Sequence, residues 1–167
     1  MPSQPTIAAK PAKPFNIILI ASLLAGTCDA IAASISYIIK YNKNPVNVFV
    51  YVASGVFGKD AFSSDTSIAW WGLLFHYLIA MSFTITFYFI YPYLSKLTKN
   101  KVLLAILYGL IVWLIMNFIV VPNSNVPKST APFDFAGAIR GLLILMVAIG
   151  LPLSFIIGIY YRKRQLQ

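Results

Sequence analysis

Ser22–Ser36, SLLAGTCDAIAASIS, places one carboxylate, Asp29, in the middle of an apolar run that extends from Phe15 to Ile39. A run of this length reads as a membrane-spanning helix, because about 20 apolar residues at ~1.5 Å each cover a hydrocarbon core. It is too long for the apolar region of a secretory signal and offers no convincing A-x-A cleavage site. Leu24-Ala25-Gly26-Thr27-Cys28 approaches a lipoprotein box, but Thr27 stands where Gly or Ala should precede the cysteine, and a full span explains the run better. A carboxylate within such a span is costly unless it finds a partner, a water-filled cavity or a proton. Ser22, Gly26, Asp29, Ala33 and Ser36 recur at intervals of four and three and so form one small, polar face.

The remainder of the 167-residue chain has the same character: 59% hydrophobic, 10% charged, without a single Glu. Mean hydropathy is +0.80. Soluble domains carry roughly 25% charged residues, so the solvent for this fold is lipid. A net charge of +9 would suggest nucleic acid in a soluble protein. Here the basic residues lie between and after the apolar runs, where they orient a chain in a membrane, so no nucleic-acid partner is expected. One Cys and one His exclude an internal disulfide and a zinc site built within one chain. No cofactor and no metal are expected.

Three more spans follow, at about 67–91, 102–121 and 136–161, the first being 15–39. Trp70-Trp71 and Tyr88, Tyr91 and Tyr93 form aromatic belts at the two ends of the second span, and Pro92 is expected to end it. Pro122 stops the third, and Pro152 is a candidate kink in the fourth. Between the first two spans, the apolar segment at about 45–58 is only about half as long as a crossing requires. It therefore lies in the interface or re-enters the membrane. Residues 1–14 read as a disordered tail and 162–167 as a basic one. The expected fold is an all-α, integral-membrane four-helix bundle with that extra helix.

Lys10, Lys13, Lys96, Lys99, Lys101, Arg162, Lys163 and Arg164 fall on one side with no acid. Lys40, Lys43, Lys59 and Lys128 fall on the other, offset by Asp60, Asp65 and Asp134. The positive-inside rule predicts that both termini are cytoplasmic. With that orientation, four polar residues fall in the outer half of the bilayer. Asp29 lies at or just beyond the midplane, and His76 is nine residues into the second span. Asn117 is four residues from the outer end of the third span, and Arg140 is four residues from the outer start of the fourth. If the helices pack as one bundle, all four can converge on an outward-facing site.

Spacing supports that convergence. Gly72, His76, Ala80 and Thr84 recur every four residues, as do Ala105, Gly109, Trp113 and Asn117. Gly137-x-x-x-Gly141 flanks Arg140, with Gly150, Ser154 and Gly158 beyond it. Gly26, Gly72, Gly109, Gly137 and Gly141 are candidate packing positions, since small residues let membrane helices approach closely. The bland reading is that small residues only pack, that Arg140 snorkels to the surface, that Asn117 is interhelical glue and that His76 is a satisfied core side chain. Asp29 resists that reading most. Paired with Arg140 it would be a buried ion pair that fixes helix register. Paired with His76 it would be a proton-exchanging couple. Both stay open. Enzyme motifs are missing: no phosphate loop, no metal helix and no nucleophile elbow.

Leu74-Phe75-His76-Tyr77-Leu78-Ile79-Ala80 and Met116-Asn117-Phe118-Ile119-Val120-Val121-Pro122 resemble segments of uncharacterised bacterial four-span inner-membrane proteins. These carry a histidine in an aromatic setting in the second span and a polar residue followed by a proline at the end of the third. The resemblance implies a fold and a location, not an activity. A looser similarity is to small multidrug exporters, which have four spans and an acidic residue in the first. Theirs is Glu rather than Asp, and their flanking motif is not evident here. The expected function is a non-enzymatic membrane protein whose pocket binds or moves a small solute or protons, with a second copy or a larger complex enclosing the pathway. The rival is a structural or accessory subunit whose polar residues only lock helices together.

Overall fold

The computed structural model describes residues 13–128 and 132–165. Residues 1–12 of the expected tail, Lys10 among them, lie outside the described residues, as do residues 129–131 of the last loop. The chain folds as an all-α bundle. Its four long helical segments, Pro14–Tyr41, Ile68–Leu97, Lys101–Val120 and Phe135–Arg164, are long and apolar enough to cross a membrane. Only 22% to 39% of each apolar window is buried inside the bundle. Ile31, Ile35, Phe89, Phe118 and Val147 point outward instead. In water such a surface would drive aggregation, whereas in lipid it costs nothing.

Helix α1 (Pro14–Tyr41) begins with Pro at its first position and ends at Asn42, whose left-handed φ of 49° turns the chain. Helix α2 (Val46–Phe57) is the short apolar segment, stopped by Gly58 at a φ of 64° that favours glycine. Helix α3 (Asp60–Ser63) is a single turn before α4 (Ile68–Leu97). Contrary to expectation, Pro92 does not end α4, which continues to Leu97. A proline removes one backbone donor, and helices in apolar surroundings absorb this loss where neighbours pack tightly.

Helix α5 (Lys101–Ile115) is capped by Asn100, whose side chain accepts from the backbone N–H groups of Val102 and Leu103. It widens into a π turn, Met116–Val120, two residues before Pro122. The fourth long segment repeats this device: α6 (Phe135–Leu145), a π turn at Met146–Gly150, then α7 (Leu151–Gln165), with Pro152 again two residues on. A π turn shifts backbone pairing by one residue just where the proline cannot donate. Arg162, Lys163 and Arg164 form the last turn of α7, not a separate tail.

Helix α4 packs chiefly on α1 and α2, while α5 packs chiefly on the fourth segment at its π turn and on α7. Glycines set both seams. A Cβ on Gly72 would lie 1.8 Å from the Phe49 carbonyl oxygen, so α2 rests directly on the α4 backbone. At the other seam, a Cβ on Gly150 would lie 2.2 Å from the Ala105 carbonyl oxygen, and one on Gly109 2.5 Å from the Met146 Cα. The central core joins Ala21 and Ala25 of α1 to Phe83, Phe87, Tyr108, Val112, Ile149 and Leu153. Tyr108 is fully buried and donates from its hydroxyl to the Phe83 carbonyl at 2.5 Å, giving its polar end the partner that burial demands.

The aromatic contacts fix the direction of α2. Phe49 meets His76 edge-on, with ring centroids 6.2 Å apart. Phe57, eight residues later, meets Trp71 and Phe75 at 6.4 Å and 6.1 Å. Both ends of α2 thus touch the same two turns of α4, so α2 lies across α4 and does not run beside it. Asn125, in the loop after the α5 π turn, clamps the end of α2, its backbone N–H donating to the Gly55 carbonyl at 2.9 Å and its side-chain amide to the Val56 carbonyl at 2.8 Å.

Candidate functional site

Beneath this lid of α2 and the loop after α5 lies a cavity of about 140 Å³. Asp29 and His76 line it together with Tyr51, Phe83, Met116 and Ser124, and the wall is otherwise mostly aliphatic. Every long segment contributes, and both π turns do so, through Met116 and Val120 in one and Ile149 in the other.

His76 comes from the inward face of α4, where Gly72, Ala80 and Thr84 are buried above and below it. Its Nε2–H donates to the Gly26 carbonyl at 2.8 Å. That bond assigns the remaining lone pair of the neutral ring to Nδ1, so a second proton adds there without breaking the contact to α1. Alongside it, the hydroxyls of Tyr77 and Thr27 hydrogen-bond at 2.9 Å. Gly26 makes this approach possible, since a Cβ there would stand 3.0 Å from the Tyr77 ring.

Asp29 is half-buried, one turn along α1 from Gly26. Among the described residues no hydrogen bond or ion pair reaches its carboxylate, and it acts with His76 only through space. Its neighbour Cys28 is exposed on the outer surface of the helix, within an unbroken α1.

The other two sequence candidates stand apart from this pair. Asn117 lies in the π turn, is exposed, and donates from its amide to the Trp113 carbonyl of its own helix at 2.8 Å. Spacing by fours placed it on the seam, but the widened turn starting at Met116 breaks that phase. Arg140 is half-buried, does not line the cavity and acts electrostatically on Asp134, not on Asp29. The buried ion pair between Asp29 and Arg140 is therefore not formed.

The one ion pair among the described residues joins Lys40, at the end of α1, to Asp134. Asp134 also caps α6, accepting from the Gly137 N–H at 2.9 Å. The Lys40 ammonium and this cap hold the Asp134 carboxyl below the usual carboxylate range. Gly137 accordingly makes room for its own N-cap, with Asp134 Oδ2 2.5 Å from where a Cβ would stand, and does not admit a neighbouring helix. A Cβ on Gly141 would meet only the Trp113 indole at an ordinary 3.7 Å. Close approach in the fourth segment belongs to Gly150.

Sequence reading missed Tyr51, Gly55 and Ser124 on the cavity wall. Tyr51 and Gly55 share a helix face at a spacing of four, a usable signal, whereas Ser124 sits in a loop with no periodicity. Among the described residues no three His, Cys, Asp or Glu side chains gather closely enough to hold a metal ion. No protein-family model, no curated protein and no solved structure matches the chain.

Proposed function

We propose that this multi-pass membrane protein binds or moves protons, or a solute no larger than a small cation, through the α2-side cavity, with Asp29 and His76 as the ionisable pair. The observation that carries this reading is an acid and an imidazole lining one largely apolar cavity, with no other charged group on its wall. Size narrows the choice. At ~30 Å³ per water the volume takes a few waters, and a cavity of about 150 Å³ accepts a single benzene-sized guest. Drug-sized pockets begin near 300 Å³, which argues against the large substrates of the multidrug exporters. A carboxylate in apolar surroundings gives up its charge readily to a proton or offsets it with a cation, and His76 gives that proton a second site. The reading includes a non-enzymatic role, a bacterial inner membrane with both termini cytoplasmic, the four-span family resemblance and a second copy of the chain completing the pathway.

The test is proton flux into liposomes carrying the purified protein under an imposed pH gradient, read with an enclosed pH-sensitive dye. Wild-type protein should pass protons, and Asp29→Asn should abolish the flux while retaining the folded helical signal. Equal flux from Asp29→Asn and wild type would sink the proposal. A second reading, a scaffold whose polar groups only join helices, is favoured by the paired contacts of His76 with Gly26 and of Tyr77 with Thr27, which tie α4 to α1. Under it, His76→Gln and Tyr77→Phe lose stability, and no variant alters flux.

A further inference from the structure

At the end of the bundle remote from the cavity, three helices meet around Gly158. A Cβ on Gly158 would lie 2.8 Å from the Tyr91 hydroxyl of α4 and 3.5 Å from the Lys101 Cε of α5, so both side chains converge on one point of the α7 backbone. Lys101 Nζ also lies 4.9 Å from the centre of the Phe155 ring. Phe155, Gly158 and Arg162 are spaced by three and four and therefore share a face of α7. Arg162, one turn beyond Gly158 on that face, is near enough to act electrostatically on the Tyr91 hydroxyl. Tyr91 stacks on Tyr161 at 5.1 Å between ring centroids, which holds the phenol in place.

Among the described residues this arrangement has cations and a hydroxyl but no acidic side chain. The four side-chain carboxylates, Asp29, Asp60, Asp65 and Asp134, lie on or toward the opposite end. His76, on the cavity, and Tyr91 are fifteen residues apart on α4, ~22 Å along its axis. Among the described residues no carboxylate side chain therefore supplies the counter-charge for Lys101 and Arg162. Phe155 is 44% exposed and continues the junction downward as an apolar wall on the outside of the bundle. A ligand that fits both parts has a phosphate at the level of Tyr91, Lys101 and Arg162 and a hydrocarbon chain beside Phe155.

We propose that this junction is a binding site for an anionic phospholipid, its phosphate held by Lys101, Arg162 and the Tyr91 hydroxyl and one acyl chain lying along Phe155. Basic clusters where membrane helices meet take such headgroups, while phosphocholine lipids, carrying their own cation, bind less well. The site is independent of the cavity and of any flux through it.

The experiment is native mass spectrometry of the full-length protein released from detergent containing equal amounts of phosphatidylglycerol and phosphatidylcholine, with a parallel titration of inorganic phosphate. Wild-type protein should retain one phosphatidylglycerol in preference to phosphatidylcholine. Lys101→Gln/Arg162→Gln should weaken retention about thirtyfold, a factor of about five for each cation. Lys96→Gln/Lys99→Gln removes the same charge on the same side but leaves the junction, and should retain the lipid. Tyr91→Phe, which leaves the ring and its packing in place, should weaken retention less than the double substitution. Equal loss in the two double variants, or equal retention of the two lipids by wild type, overturns the proposal. So does binding of inorganic phosphate with no lipid retained.

Discussion

Asp29 and Cys28 are adjacent in sequence, yet one lines the cavity and the other faces the outside of the bundle. A rotation of about 100° per residue separates them; Asp29 was legible because a carboxylate within a span is costly, whereas Cys28, read as a small buried residue, is exposed. Substituting Asn for Asp29 keeps shape and removes the titrating group. It should change stability in detergent by less than about 1 kcal/mol while abolishing pH-dependent flux. A larger loss of stability would mark the side chain as a structural strut. Asp134 gives a second prediction at this scale. Because its carboxyl is held below the usual carboxylate range, the stability it contributes is present above that range and is lost as pH falls through the lower folded value. The difference in thermal midpoint between wild type and Asp134→Asn should thus be constant from pH 5 to 7 and shrink as pH falls through and below the usual carboxylate range. A difference that does not change with pH over that fall would show that the carboxylate is not the source. The ion pair itself was out of reach of sequence reading, since Lys40 and Asp134 are 94 positions apart and only the fold brings them together.

At the scale of elements, the small-residue periodicity located the α1–α4 and α5 seams and Gly150 on the fourth segment, but misjudged the start of that segment. Gly137-x-x-x-Gly141 has the spacing of a packing motif, yet Gly137 serves a helix cap and Gly141 meets only an indole edge. The π turn at Met146–Gly150 resets the phase, so that Gly150 carries the close contact. Spacing cannot reveal an inserted residue in the backbone pairing, although a proline two positions later is a signal that in retrospect marks both π turns. Substitution separates the two kinds of glycine. Gly141→Ala should be neutral or slightly stabilising, within about 1 kcal/mol, because the helix gains propensity and the space is open. Gly72→Ala should lose roughly 2 kcal/mol or more despite the same gain, because its Cβ would collide with the Phe49 backbone and lift α2 off α4. Reversible unfolding in mixed detergent measures both. Equal effects at the two positions would contradict the packing described. The lie of α2 was open between interfacial and re-entrant on length alone. Its aromatic contacts with two turns of α4 are what set it across the bundle.

At the scale of the whole molecule, composition sufficed for the class of fold: a chain this apolar with so few charges has no soluble alternative, and the four long segments follow from run length. The site was half legible. Asp29 and His76 could be singled out by cost and depth, but Arg140 was grouped with them on depth, which carries no information about the azimuth of a side chain, and Asn117 on depth and on a spacing by fours that the π turn breaks. Orientation is open to a direct test. Cysteines at Ser64, before α4, and at Thr98, after it, should react with a membrane-impermeant reagent from opposite sides, Thr98 only from the cytoplasmic one. Labelling of both from one side would contradict a spanning α4. The central claim is that water reaches the Asp29–His76 cavity from the α2 side. It is tested most directly by the reaction rate of single cysteines at Ile79 and Met116, on the cavity wall, in a Cys28→Ser background. A small charged thiol reagent applied from the α2 side should modify both much faster than a cysteine at Leu153 in the sealed core. Rates as slow as that of the core position, or reaction only from the opposite side, would contradict the account.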